Sequence, residues 1–243
     1  MREDDGILNS MSKDVVVLCG MPSERAILAA AYPDNLILSG TDKNDLAVLV
    51  PAGTARIVSM GLCGGLTGPP PAVADVVLAS SVSDGAGHSW NCDAAWNAAV
   101  IDIARRSTSL ETGAWARPGV RAVPWFSSGV VDLADTRLQR ADLFGVTGAW
   151  AIDDESYFAA VFCAERGIKF NVARSVSDDA SETLPLAARG AIMRPDGSAD
   201  IQYLFQSLAT EGWAQDLDLI SEVLPDYEAS LATLQGLASG VVL

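Results

Sequence analysis

Short apolar runs rich in β-branched residues alternate with helical stretches along most of the chain. Asp14-Val15-Val16-Val17-Leu18-Cys19, bounded by Gly20, has the pattern of a strand buried on both faces. Pro22 to Tyr32 follows as a helix with proline near its start. Asn35–Ser39 predicts a second strand and Asp45–Val50 a short helical turn. Arg56–Met60 is a third strand, which runs into Gly61-Leu62-Cys63-Gly64-Gly65. Ala74–Val82 reads as a fourth strand and Cys92–Ser107 as an alanine-rich helix. Val120–Ser127 is strand, Asp135–Leu143 helix, and Ala149–Ile152 a short strand leading into a helix over Asp153–Arg166. Phe170–Val176 is the next strand, and the chain from Ser198 onward is mostly helical, with Pro225 predicted to break it.

This alternation predicts an α/β protein, a three-layer αβα sandwich around a central mixed, largely parallel sheet. Ligands of such sheets sit beyond the carboxyl ends of the strands. No linker, low-complexity segment or internal repeat interrupts the pattern, so residues 1–243 are expected to form one domain.

Composition narrows the function classes. Of 243 residues 49 % are hydrophobic and 19 % charged, which excludes a disordered chain. The formal charge of -15 disfavours nucleic acid and an anionic bilayer as partners, while leaving room for a nucleoside or nucleotide ligand. Cys19, Cys63, Cys92 and Cys163 form no C-x-x-C pair and His88 is the only histidine, so no metal site is expected. Met1–Ser12 is polar and acidic, without the pattern of a signal peptide, and no run is long enough for a membrane span. A reducing, cytoplasmic setting is the expectation.

Three places that follow strands carry unusual residues. In Gly20-Met21-Pro22-Ser23-Glu24-Arg25, the acid of the first helical turn suits the helix dipole, which alone would explain Glu24. Gly61-Leu62-Cys63-Gly64-Gly65-Leu66 would let a ligand approach the backbone, although a plain turn looks the same; it is neither G-x-G-x-x-G nor a P-loop. Asp153-Asp154-Glu155-Ser156 opens a helix and Ser175-Val176-Ser177-Asp178-Asp179 ends a strand. Capping and a polar turn are their simplest explanations, yet together they put acids on neighbouring loops of one sheet. His88, in a Gly-rich loop, reads more simply as incidental than as catalytic.

Taken in order, Gly20 to Glu24, Met60 to Leu66, Asp153 to Ser156 and Arg174 to Ala180 resemble the nucleoside phosphorylase and nucleosidase superfamily. Within it the chain is similar to the methylthioadenosine/S-adenosylhomocysteine nucleosidases. Closer still is the hopanoid-biosynthesis nucleosidase that acts on adenosylhopane, on the strength of Thr183–Ala188, Arg194–Gly197 and the loop from Gly87-His88-Ser89-Trp90 through Asp93–Trp96. The resemblance implies an enzyme without a cofactor that releases adenine from a 5′-modified adenosine, in a homo-oligomer. Glu24 would position and activate water, Glu155 would bind the ribose hydroxyls, and Asp178, beside Ser177, would give a proton to the purine. Gly64 and Gly65 would let the base lie against the main chain, and Cys63 and Gly64 would bind substrate. Phosphorylases of the superfamily place an arginine where Glu24 stands and another where Ser59 stands, so water is the expected acceptor. Arg25 and Arg56 keep phosphate open as a partner. The chain departs from the usual Asp-Met-Glu at Asp154, which implies either recognition of a hydroxyl or a helix cap, and leaves a non-catalytic nucleoside-binding protein as a further alternative.

Overall fold

A computed structural model describes residues 14–40, 43–67, 71–106, 120–127, 137–181, 213–241 and 243. Strand β1 (Val15–Cys19) is buried at all five positions. Its odd-numbered residues enter one core with Leu28, Met60, Leu234 and Leu237. Val16 and Leu18 enter a second core on the other face with Leu46, Ala159 and Phe162. That two-sided burial is what the unbroken apolar run requires.

Helix α1 (Pro22–Ala31), β2 (Leu36–Ser39), α2 (Lys43–Leu49), β3 (Arg56–Gly65), β4 (Val76–Ser83) and β5 (Ser89–Asn91) follow in order. Then come α3 (Ala94–Arg106), β6 (Arg121–Phe126), α4 (Arg137–Thr147), β7 (Ala151–Ile152), α5 (Ser156–Arg166), β8 (Lys169–Asp178) and α6 (Trp213–Gly240). The strands form one mixed sheet in the order β2-β1-β3-β7-β6-β4-β5, with β8 pairing both β3 and β4. Because β7 and β6 also connect β3 to β4, these five strands close on themselves. Strands β2, β1, β3 and β8 are mutually parallel. Their carboxyl ends therefore gather Gly20, Gly65 and Asp178 at one edge.

Three local readings change. Strand β3 does not stop before its glycines but runs through Gly65, with a register shift between Cys63 and Gly64 that sets Asp178 opposite Gly64. The Gly-rich segment around His88 leads into a short strand, β5, antiparallel to the end of β4. Helix α6 runs through Pro225 rather than breaking there. An interior proline costs about 3 kcal/mol. Complete burial of Leu234 and Leu237, each contributing about 1.5–3 kcal/mol, offsets that loss. Ser230 Oγ also donates to the Val176 carbonyl (2.6 Å), tying α6 to β8. The C-terminal segment thus closes over the sheet. The start of the helix expected from Asp135, the Thr183–Ala188 and Arg194–Gly197 segments, and Ser198 to Glu211 lie outside the described residues.

Candidate active site

Glu24 stands at the third position of α1, and its side chain turns back over the helix start. Its Oε2 accepts from the backbone N–H groups of Gly20 and Met21, both at 2.8 Å. Oε1 accepts from Leu62 N at 2.6 Å, across the turn from β3. The helix-dipole explanation of Glu24 is therefore incomplete, because the carboxyl caps the helix start and its third donor comes from β3. The residue is 1 % exposed. Burial raises its carboxyl above the ordinary value, opposed by Arg174 and the three N–H groups.

Arg174, fully buried on β8, is the hub of the site. Its Nε faces Asp153 Oδ2 at 2.7 Å and its Nη2 faces Glu155 Oε2 at 3.0 Å. Nη2 also donates to Ser59 Oγ (2.7 Å) and Nη1 to the Leu62 carbonyl (2.8 Å). Ser156 Oγ joins the network, donating to Asp153 Oδ2 and lying 3.0 Å from Ser59 Oγ. Burial pulls the arginine towards the neutral form, and Asp153, Glu155 and Glu24 pull it back further.

Helix α5 begins one residue later than the acidic run, so Asp153, Asp154 and Glu155 precede it. Asp153 acts as a cap, accepting from Ser156 N through Oδ1 at 3.2 Å. Glu155 is a quarter exposed at the mouth of the site. Burial pushes its carboxyl up to about 7, with Arg174 opposing and Asp153, Glu24 and Asp154 adding to the rise. Asp154 is half-buried, close enough for its charge to be felt by Glu155.

Asp178 closes the other side. Its Oδ2 is ion-paired with Arg140 Nη2 and its Oδ1 accepts from Ser177 Oγ at 2.5 Å. Ser177 Oγ also lies 3.2 Å from the Cys63 carbonyl. Asp178 lies opposite Gly64 and Glu24 bonds at Leu62, a separation of about 7 Å along β3.

The glycines have a use other than the expected one. A Cβ on Gly61 would lie 2.6–2.8 Å from the Glu24 carboxyl atoms, and one on Gly20 would collide with Glu155. A Cβ on Gly64 would lie 3.0 Å from Asp178 Oδ2 and 3.2 Å from Ile152, and one on Gly65 would meet the backbone of Asp179. The space beside Gly64 and Gly65, which the sequence assigned to a ligand, is thus taken by the protein's own acid and backbone. The Cys63 side chain is likewise directed into the second core, its thiol donating to the Ser175 carbonyl (3.6 Å) and pushed well up by burial. Only its carbonyl reaches the Ser177 hydroxyl.

One further expectation changes. Arg56 begins β3, about 20 Å along the strand from Leu62, and is bound to Asp93 (2.9 Å) and Asn171. It cannot swing to the site. His88 forms an exposed pair with Asp84 (2.7 Å) and stacks on Trp90. The sequence reading gave no role to Arg140 or to the side chain of Arg174. An arginine inside a strand buried on both faces signals paired acids. Arg140, in a stretch that reads as a polar helix surface, offered no such signal.

No family model matches the sequence, and no curated protein matches it. Solved structures do. The futalosine hydrolase of Helicobacter pylori superposes with a TM-score of 0.61 at 12 % identity, over 93 % of this chain and 97 % of that one. The methylthioadenosine/S-adenosylhomocysteine nucleosidase of Neisseria meningitidis, in complex with methylthio-immucillin-A, gives 0.59 at 15 % identity over 93 % and 99 %. The corresponding nucleosidase from S. pneumoniae, with a transition-state inhibitor, gives 0.58 at 14 % identity over 93 % and 98 %. At these identities the likeness establishes the fold, which is the one these nucleosidases share. Among the described residues no helix is long and apolar enough to cross a membrane.

Proposed function

We propose that the protein is a nucleosidase that hydrolyses the N-glycosidic bond of a 5′-modified adenosine and releases adenine. The observation that carries this reading is the pair of buried carboxyl groups at the carboxyl ends of the parallel strands, Glu24 bonded at Leu62 and Asp178 opposite Gly64, two residues further along β3. The shared fold with the nucleosidases and the futalosine hydrolase supports it.

The bond from C1′ to the base breaks with its electron pair going to the base. Asp178 hands a proton to the base, and a water oxygen bonds to C1′ while its proton passes to Glu24. The two carboxyl groups then exchange protons with solvent and the site is reset. An ionised carboxylate has about four lone-pair sites, and three of Glu24's are filled by backbone N–H groups. The fourth is the one that accepts from water. Burial, which raises this carboxyl, also makes it the stronger base. Glu155, at the mouth, accepts from the ribose hydroxyls, and Arg174 fixes its direction. Asp154, where the related enzymes carry methionine, bears on the sugar or its 5′ substituent; the resemblance to the adenosylhopane enzyme suggests an apolar group there.

Water is favoured over phosphate because the donors a phosphate would use at the turn are already filled by Glu24. The test is adenine release from adenosine, methylthioadenosine and adenosylhopane, with and without phosphate, by the wild type, Asp178→Asn and Glu24→Gln. Release without phosphate is expected, with each variant about 10²–10⁴-fold slower. Strict dependence on phosphate would identify a phosphorylase. Calorimetric binding without release would identify a nucleoside-binding protein. Wild-type rates in either variant would remove that residue from its role.

A further inference from the structure

Helix α4 is an unusual packing element. Leu138 and Val146 are 78 % and 80 % exposed, Phe144 is exposed, and Leu143 is only partly covered by Leu66, Phe126 and Ala149. Arg140 is the helix's only buried residue, at 1 % exposure. An amphipathic helix ordinarily inserts an apolar stripe, and a buried guanidinium is tolerated only when it is paired and its donors are satisfied. What α4 delivers to the interior is a cation.

Its destination is specific. Nη2 pairs with Asp178 Oδ2. Nη1 faces the carbonyls of Asp179 (2.7 Å), Asp178 (3.3 Å) and Gly65 (3.3 Å). One guanidinium therefore ties the end of β3, the end of β8 and the acid together. Gly64, lacking a Cβ, leaves the room in which Oδ2 sits. With Oδ2 engaged in this way, Oδ1, already hydrogen-bonded by Ser177, is the oxygen available to a ligand.

We propose that Arg140 is a positioning residue for base departure, which turns Oδ1 of Asp178 towards the base and stabilises the carboxylate that proton transfer leaves behind. The inference rests on Asp178 being the proton donor. On the proposed function Asp178 enters the reaction holding its transferable proton on Oδ1, while Oδ2 lies against the guanidinium. As the C1′–N bond breaks and the proton moves from Oδ1 to the base, negative charge grows on Asp178 beside a fixed positive charge. The interaction is stronger in the transition state than in the ground state, which is the condition for acceleration. Arg140 itself touches neither sugar nor base.

The consequence is a dependence on the leaving group. Adenine needs the proton; p-nitrophenolate, on the same ribose, departs without one. Arg140→Gln, which removes the charge, is expected to lower kcat for adenine release about 10²-fold with KM within threefold. It should change release of nitrophenolate by less than threefold. Arg140→Lys, which keeps the charge but not the fork, should be intermediate on the nucleoside and unchanged on the nitrophenyl riboside. Added to Asp178→Asn, Arg140→Gln should produce no further loss, since the charge it serves no longer develops.

Arg140→Gln at wild-type rates on both substrates overturns the proposal, as does equal slowing on both, which would make Arg140 a structural residue only. Should Arg140→Gln fail to fold, Arg140→Lys decides on the same two substrates: slowing confined to the nucleoside supports the proposal, and any other pattern overturns it. A wild type that releases neither leaving group overturns the base-release reading and this inference together. A wild type that releases both, with variants insensitive to the leaving group, overturns the inference alone.

Discussion

Adding one methyl group at Gly61 tests the geometry around Glu24 directly. Gly61 lies within β3, where alanine is conformationally acceptable, so the effect of Gly61→Ala is steric. The new Cβ would meet the Glu24 carboxyl at 2.6 Å, whereas ordinary contact begins at 3.4 Å. The carboxyl must retreat by the difference, 3.4 − 2.6 = 0.8 Å. Its bonds from Leu62 N, Gly20 N and Met21 N, now 2.6, 2.8 and 2.8 Å, would lengthen towards the limit of hydrogen bonding. Losing one or two bonds to a charged acceptor costs about 2–5 kcal/mol. In a chain of this size that lowers Tm by about 5–15 °C. Displacement of a reacting group by about 1 Å slows turnover about 10²-fold. Thermal melting and single-turnover adenine release read the two effects separately. Gly145→Ala is the matched control: its Cβ meets nothing within 4 Å, and within α4 it should stabilise by about 1 kcal/mol. A Gly61→Ala protein that melts and turns over like the wild type would refute the arrangement described for Glu24.

Glu155 gives the protein an inverted acid response. Its carboxyl titrates at about 7 in the folded state against 4.5 when unperturbed, so between those values the native chain binds more protons than the unfolded one. Stability is then expected to fall as pH rises from about 4.5 through 7 and to recover as it is lowered, with Glu24 acting in the same direction. The lowered acids Asp84 and Asp93 lose their contribution only further down, below about 3.8. Urea denaturation at several pH values checks this, and Glu155→Gln should flatten the slope; an unchanged slope would exclude Glu155 as its source. Pro225, exposed within α6, is a site of gain: Pro225→Ala is expected to stabilise by up to about 3 kcal/mol, a rise in Tm of about 5–10 °C. A lower Tm would mean that the helix depends on the proline.

The layering of the fold was legible because its signals are local. Val15–Cys19 is apolar at every position, and burial on both faces follows from that run alone. The candidate site was legible as three neighbouring segments because parallel strands bring their carboxyl ends to one edge. What the pattern could not disclose is which way neighbouring groups compete for space. Gly64 and Gly65 read as a ligand surface, but the register shift after Cys63 brings Asp178 into that space. Cys63 stood in the motif, yet strand alternation turns its thiol to the core. Arg140 was invisible because α4 buries a cation where a helix should bury leucine, and only the tertiary partner explains it. Pro225 was read by its propensity, which packing of the following turns overrode.

The balance of charge in the site bears on the nature of the attacking group. Glu24 occupies the N–H groups of Gly20, Met21 and Leu62, a cluster of donors suited to an anion. Arg174, whose charge acts on Glu24, is already held by Asp153 and Glu155. A phosphate placed about 4 Å from Glu24 would meet a repulsion of about 4 kcal/mol for each of its charges. Expelling Glu24 to make room would break three hydrogen bonds at once. A neutral water meets neither obstacle and gains a strong acceptor. On the proposed function the carboxylate that caps α1 would do two things with one geometry: complete the start of the helix, and reserve the position beside the sugar for water. Hydrolysis is what the arrangement of these residues supports, and the turn at Gly20 becomes part of the chemistry because of how the helix behind it begins.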